Sequence, residues 1–418
     1  MAQNNPSEIS SMKRAGRILT KIAVLCVAFQ DIGQGATTPA LQSIMDAFPT
    51  VDPSVIMMIS SIPPAGMVIF SLVYAQLAKV VPKRVILLIS AVCFAVGGIA
   101  PAFMDNIYAI LLMRVLVGVA TGFCFPMGMD LCVDYFEGKE RQTMFGWVSA
   151  ASGIGGILYQ TLGGYLASMQ WNYCFYAYTP GVVMFIVSLV LLPKQGQENE
   201  RRLNAQDDKE GEEEAPKAKS RTRLPASTWA ACVLFYLWAV FFFVVMTNSS
   251  SVIVGEGIGS AAIAGLSMSV ITVGSTLSAL FFGKFQHRIG NYVLPSMFGL
   301  TAVGFLLFFI SHSVPMIMVS AFVIGVGMGL AMPAVVSVLT GSLPEEQATR
   351  AISFTMASNG LGSFTQPMVF ALIFHLFNME VGRSPFLVST VAFVVLTACA
   401  VFFIMRVSKT KESSQPCP

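Results

Sequence analysis

The sequence predicts an all-α membrane protein with twelve transmembrane helices in two pseudo-symmetric six-helix bundles around a central cavity. Composition, the placement of basic residues and an internal repeat carry that prediction. Of the 418 residues, 55% are hydrophobic and only 11% are charged, against about 25% charged in a soluble domain. Apolar runs of about 20 residues, the length that crosses a hydrocarbon core, recur along the whole chain. The first run is too long, and its start too polar, for a cleavable signal peptide. The eight cysteines are scattered without CxxC spacing. They read as small apolar fillers rather than a disulfide framework or metal site.

In the first half the apolar segments run over 18–45, 54–79, 84–103, 107–135, 143–168 and 173–193. In the second half they run over 226–252, 262–284, 291–311, 314–339, 352–377 and 384–406. Pro63, Pro64, Pro126, Pro333 and Pro367 fall inside them. Membrane helices tolerate such prolines because neighbours satisfy the freed carbonyls. Basic residues then give orientation. Lys13, Arg14, Arg17 and Lys21 precede the first segment, and Lys79, Lys83 and Arg84 join the second to the third. Lys139 and Arg141, Lys284 and Arg288, then Arg350, fall in alternate later loops, and Arg406, Lys409 and Lys411 lie in the tail. The opposite loops hold one basic residue, Arg383. Both termini are therefore expected in the cytoplasm, with the cell membrane as the expected location.

Residues 194–225, beginning KQGQENERRLN, mix acidic and basic runs with almost no apolar content. They read as a solvated cytoplasmic linker, between a first bundle at 1–193 and a second at 226–418. The halves repeat. GVATGFCFP at 118–126 matches GVGMGLAMP at 325–333, and ASGIGG at 151–156 matches SNGLGS at 358–363, both at an offset of 207. The fourth and fifth segments therefore correspond to the tenth and eleventh. Parallel repeats of this kind place a substrate site near the midplane between the halves.

Three motifs resemble the major facilitator superfamily, over essentially the whole chain. Its signature after the second helix, Gly-x-Leu-x-Asp-Arg-x-Gly-Arg-Arg, reads AQLAKVVPKR at 75–84 here, with Leu77, Lys83 and Arg84 fitting. Ala75, Lys79 and Pro82 replace its first Gly, its Asp and its second Gly. The loop after the eighth segment reads GKFQHRIGNY at 283–292, with Gly283, Arg288 and Gly290 in place and His287 where the Asp would be. The fourth segment carries Arg114 followed by Gly118 and Gly122, as the family does. In the fifth, Gly146, Gly155, Gly163 and Gly164 keep the register of the family's antiporter pattern, while Tyr159 and Gln160 replace its Gly-Pro. The resemblance implies a secondary transporter working by alternating access.

Glycines four apart let helix backbones approach closely, which assigns packing to Gly118, Gly122, Gly155, Gly325 and Gly329. Lys79, Lys83, Arg84 and Arg288 can pair with Asp130 and Asp134 at helix ends, forming a gate on the cytoplasmic side. Only Asp31 and Arg114 are ionisable at depth. At 1.5 Å per residue, Asp31 lies roughly 15 Å above Lys21, and Arg114 roughly 12 Å into an oppositely directed helix. The family layout puts both helices on the cavity, so the two charges can meet. Either charge alone costs about 3 kcal/mol at a helix centre, and a carboxylate without a partner takes up a proton. Asp31 is therefore the proton-coupling candidate, against a static pair with Arg114 or direct substrate contact. Gln30, Gln34, Thr38, Tyr159, Gln160, Asn359 and Gln366 complete the candidate cavity.

No HExxH, phosphate-cradling loop or nucleophile–base pattern occurs, so neither an enzyme nor a cofactor is expected. Proton-coupled movement of a small organic solute, which Arg114 could meet if it is anionic, is the first reading. Proton-driven efflux of amphipathic compounds is the alternative, and a sensor that has lost transport is the third. The expected partners are a small molecule, protons and membrane lipid, with no nucleic acid and a monomeric chain.

Overall fold

The computed structural model describes residues 6–30, 32–192, 226–342, 345–377 and 382–412. Asp31 and the predicted linker at 194–225 lie outside the described residues. Twelve long helices follow one another: α1 (Pro6–Ala28), α2 (Pro53–Leu77), α3 (Lys83–Ile99), α4 (Ile107–Tyr135), α5 (Gly138–Ala167), α6 (Thr179–Leu191), α7 (Ala226–Phe242), α8 (Ala261–Leu280), α9 (Val293–Ile310), α10 (Val314–Ser342), α11 (Glu345–Phe377) and α12 (Ser384–Glu412). Among the described residues, eleven stretches are long and apolar enough to cross a membrane. The remaining helix, α5, has 30 residues. Its glycines and the Tyr159–Gln160 pair dilute its hydropathy below that of the others.

Local chemistry sets several helix ends. The Asp52 side chain accepts from the Ser54 amide at 2.8 Å, with Pro53 opening α2. Asn106 does the same for the Tyr108 amide of α4 at 2.9 Å. Such caps satisfy amides that lack a partner in the first turn. Gly290, which fits the signature after α8, adopts a φ of +60° at the end of the short helix Phe282–Ile289. An L side chain there would be strained.

Two segments expected as continuous helices are broken. The run at 18–45 ends its α-helix at Ala28 and continues as a 3-10 helix, Gly33–Ala40, and a short helix, Leu41–Ala47. Gly33, Gly35 and Pro39 favour that change, and α5 presses on it. A Cβ on Gly155 would run into the Phe29 carbonyl, and one on Gly163 into the Ala36 carbonyl. The run at 226–252 breaks at Phe243 and resumes as Val244–Ile253.

The repeat is visible in packing. Gly118 faces Gly66 and Pro63, and Gly122 faces Phe70 and Met67, so α4 lies close on α2. Gly325 faces the Ile271 carbonyl and Gly329 the Ser275 carbonyl, so α10 lies close on α8. These are equivalent helix pairs six apart. Each bundle has its own apolar core; the second centres on Phe305, Phe308, Phe386 and Phe393, with the Phe308 and Phe386 rings stacked at 4.4 Å.

The two sets of six helices meet along α2–α11 and α5–α8. The loops carrying Lys83, Lys139 and Lys284 mark one end of the bundle, the basic end. The hydrogen bonds that cross between the halves, among the described residues, lie toward the other end. Ser250 of the short helix after α7 donates to the Pro39 carbonyl at 2.7 Å and accepts from the Gln42 amide at 3.3 Å. Between α5 and α8, Thr161 and Ser269 hydroxyls meet at 2.7 Å, and Thr272 donates to Gln160 Oε1 at 3.1 Å. Gly164 and Gly265 let these two backbones touch: a Cβ on Gly164 would stand 2.5 Å from the Ala261 carbonyl oxygen and 2.8 Å from Gly265 Cα.

Candidate functional site

Arg114 sits on α4 with no exposed surface. Its guanidinium donates to the Gly97 carbonyl and to Tyr178 Oη at 2.8 Å, with Gly98 O further off at 3.5 Å. The Phe175 and Tyr178 rings each lie 5.1 Å from it. The carbonyls belong to the C-terminal turn of α3, the negative end of its dipole, and the aromatic faces add cation–π attraction. Among the described residues no carboxylate pairs with Arg114. The expected cavity position is not what this conformation displays: Arg114 is enclosed within the first six helices. Its pairing with Asp31 falls outside the described residues.

One turn beyond α1, Gln30 is fully enclosed. Its Nε2 donates to the Gly181 carbonyl at 3.0 Å, and Tyr159 Oη donates to its Oε1. Gly181 has to be glycine here, because a Cβ would collide with Tyr159 Oη and Gln30 Oε1. This clasp ties α1, α5 and α6 together. Thr38 and Ser60 hydroxyls meet at 3.1 Å, and Gln34 Nε2 approaches Met67 Sδ at 3.8 Å. Gln160 belongs to the seam with α8.

The second half holds an equivalent clasp. Gln366 lies 207 residues after Tyr159, at the repeat offset, and has no exposed surface. Its Oε1 accepts from Thr247 Oγ1 at 3.1 Å, and Asn248 Nδ2 donates to the same hydroxyl at 2.9 Å. Asn359, half-buried on α11, makes no such bond among the described residues. Trp238 packs in the second core, stacked between Phe235 at 5.0 Å and Phe242 at 4.8 Å.

At the basic end the structure brings together Lys83, Asp130 and Asp134. Lys83 Nζ is 2.7 Å from Asp130 and 2.5 Å from Asp134, and Tyr74 Oη donates to Asp130 at 2.6 Å. The ammonium is 5% exposed while the carboxylates are 36% and 28% exposed, so one buried cation holds two half-wet anions beside the end of α4. Arg84 instead caps α6, donating to the Leu189 carbonyl at 2.7 Å. Among the described residues, the Lys79 ammonium reaches only Gln76, at 3.3 Å. Arg288 is exposed and makes no ion pair among the described residues.

Two groups were not singled out by sequence reasoning as site residues. Glu140 of α5 pairs with Arg17 and Lys21 of α1, each at 2.7 Å. It borders a cavity of about 210 Å³ with Lys21, Leu25, Thr143, Met144 and Trp147. The Lys21 hydrogen bond first, and the Lys21 and Arg17 charges with it, hold the Glu140 carboxyl below its ordinary range against a desolvation cost. A lowered carboxyl contributes stability above its unfolded pKa and loses it as pH falls through the folded one. Melting curves of Glu140→Gln should therefore lie slightly below the parent at pH 7 and converge with it on acidification, once the pH has fallen below the lowered pKa of the folded carboxyl. A gap that widened on acidification would contradict the pair.

The other group is Arg383, at the far end. Its Nε donates to Glu256 Oε1 at 2.9 Å and Oε2 at 2.7 Å. Its Nη atoms donate to the carbonyls of Phe309 and Ser311, and one meets His312 Nδ1 at 3.2 Å. One fork thus ties the loops after α7, α9 and α11, so the lone basic residue of that side is a staple. Arg383→Gln should lower the melting free energy by about 2 kcal/mol, read in thermal melts of the purified protein. An unchanged melt would remove the staple.

The Major Facilitator Superfamily profile matches residues 23–292 and again 242–416. The chain belongs to that superfamily. It is 25% identical to the bacillibactin exporter of Bacillus subtilis (strain 168) over 290 residues, 69% of this chain and 72% of that protein. It is 31% identical to the quinolone resistance protein NorA of Staphylococcus aureus over 117 residues, only 28% of this chain and 30% of NorA. The nucleoside transporter NupG superposes with a TM-score of 0.72 at 13% identity, covering 92% of this chain and 99% of its own. A bacterial homologue of the lysosomal transporter Spinster, inward-facing and occupied, gives 0.71 at 14% identity over 95% and 98%. At those identities the structures share the fold. The chain is accordingly a multi-pass membrane transporter of a small molecule, and the motifs at 75–84, 114–122 and 146–164 belong to that superfamily.

Proposed function

We propose that this transporter exports a small organic, amphipathic compound from the cytoplasm in exchange for protons. The observation that carries the alternating-access part is the seam: hydrogen bonds between the halves gather toward the end away from the basic loops. With the basic end cytoplasmic, this is a conformation closed outward, and both termini lie in the cytoplasm beneath the cell membrane. The Lys83–Asp130–Asp134 cluster, made within the first six helices and formed in this state, is on this reading the first half's part of the cytoplasmic gate, which Lys79, Arg84 and Arg288 join when that end closes. The halves at 1–193 and 226–418 rock as bodies about the linker at 194–225, and the chain works as a monomer. Export rather than uptake is favoured by the names of two relatives, an exporter and a drug-resistance protein.

Asp31 remains the proton carrier of the proposal. In proteoliposomes with an imposed pH gradient, Asp31→Asn should lose the gradient dependence of flux while keeping slow downhill movement. If its flux follows the gradient as the parent's does, the proton role of Asp31 is gone.

A further inference from the structure

The two clasps occupy corresponding places, one joining the turn after α1 to α5 and the other joining the short helix Val244–Ile253 after α7 to α11, and Tyr159 and Gln366 share one register. They differ in saturation. In the first, both ends of the Gln30 amide are taken, one by Gly181 and one by Tyr159. In the second, Gln366 Nε2 and Asn248 Oδ1 have no partner among the described residues, though neither residue has any exposed surface. Ser249 Oγ, next in the chain and equally enclosed, is also open.

Proton placement makes this more specific. Thr247 has one hydroxyl proton. The Phe243 carbonyl could take it at 3.2 Å, but that oxygen already accepts from the Met246 and Thr247 amides at 3.0 and 3.1 Å. Val244 O is further, at 3.4 Å, than Gln366 Oε1 at 3.1 Å. The proton therefore stays in the clasp. Amide oxygen and nitrogen are assigned from the hydrogen-bond network, and turning both amides over only reverses the chain of donors. In either sense, one end offers an N–H donor and the other a carbonyl acceptor. A buried polar group left open is costly, and the cost is largely relieved once a matching group arrives.

We propose that the Thr247–Asn248–Gln366 clasp is a binding subsite for an uncharged group that both donates and accepts, of which a carboxamide is the simplest. It rests on the transporter reading only for the origin of that ligand. The row Thr247 to Ser251 also contacts the 3-10 helix Gly33–Ala40 through Ser250 and Pro39, so parting the halves at that end uncovers the clasp. The first clasp, being saturated, anchors helices and leaves recognition to the second half.

The test uses the purified full-length chain and two probes, a naphthalene carboxamide and its N,N-dimethyl derivative, which keeps the acceptor and lacks the donor. Concentration-dependent melting shifts give apparent affinities. The primary amide should bind roughly tenfold more tightly. Gln366→Met and Asn248→Leu should each erase the preference while ring binding persists, and Tyr159→Phe should keep it. If one replacement fails to fold, the other carries the comparison. No preference in the parent, no binding of either probe, or a preference that survives in Gln366→Met overturns the subsite. Flux of the same probes in proteoliposomes separates the two claims. Flux without preference retains a transporter and removes the subsite; preference without flux does the reverse.

Discussion

Gly164→Val is expected to cut transport at least tenfold while the protein still folds. Gly164 of α5 lies against Ala261 and Gly265 of α8, where an added Cβ would meet a carbonyl oxygen at 2.5 Å and a Cα at 2.8 Å. Both obstacles are backbone, so no rotamer change relieves them. The contact lies between the halves rather than inside either apolar core, so each bundle can keep its packing while the seam opens. The Thr161–Ser269 and Thr272–Gln160 hydrogen bonds would be lost with it. At about 0.5–1.5 kcal/mol each, their loss moves the equilibrium between the two access states by roughly tenfold or more. Two measurements check this. A cysteine at Ser250, in a background without the eight native cysteines, should react faster with an impermeant maleimide from the outside. The melting temperature should fall only a few degrees. A large drop in stability with unchanged labelling would mean that α5 and α8 form one core, not a movable seam.

The architecture was legible in the sequence because its causes are repeated many times. Twelve apolar segments and an offset of 207 each rest on many residues, so single exceptions do not disturb them. The site was legible only in part. Gln30, Tyr159, Gln160 and Gln366 could be named as polar groups at depth, but not joined, since the Gln30–Tyr159 bond spans 129 residues. Thr247 and Asn248 carried a readable signal, five consecutive polar residues inside an apolar run. That signal became informative only with Gln366 placed beside them. The breaks after Ala28 and at Phe243 were hidden because hydropathy reports burial in lipid and is blind to a local change from α to 3-10 geometry. Arg383 looked like the exception to an orientation rule. Its fork fills with carbonyls and a carboxylate that only the folded loops bring together.

Arg114→Met should destabilise the protein by about 3 kcal/mol or more, and the manner of its rescue identifies the partner of that charge. An arginine at a helix centre costs about 3 kcal/mol when alone. Here the C-terminus of α3, Tyr178 Oη and two aromatic faces offset that cost. Methionine fills much of the volume and removes the charge. It also leaves the Gly97 carbonyl and the Tyr178 hydroxyl open in a site without solvent, at about 1–3 kcal/mol each. Arg114→Lys should fall between, because an ammonium on a shorter stem cannot hold carbonyl and hydroxyl in one planar fork. Adding Tyr178→Phe to Arg114→Met should recover about 1–2 kcal/mol, since the orphaned hydroxyl is then gone. A double-mutant cycle with Asp31→Asn supplies the contrast. If Arg114 serves α3 and Tyr178, its coupling to Asp31 is weak and Asp31 is free to exchange its proton. If the coupling to Asp31 exceeds that to Tyr178, the two charges form a static pair, and the proton-carrier role assigned to Asp31 fails.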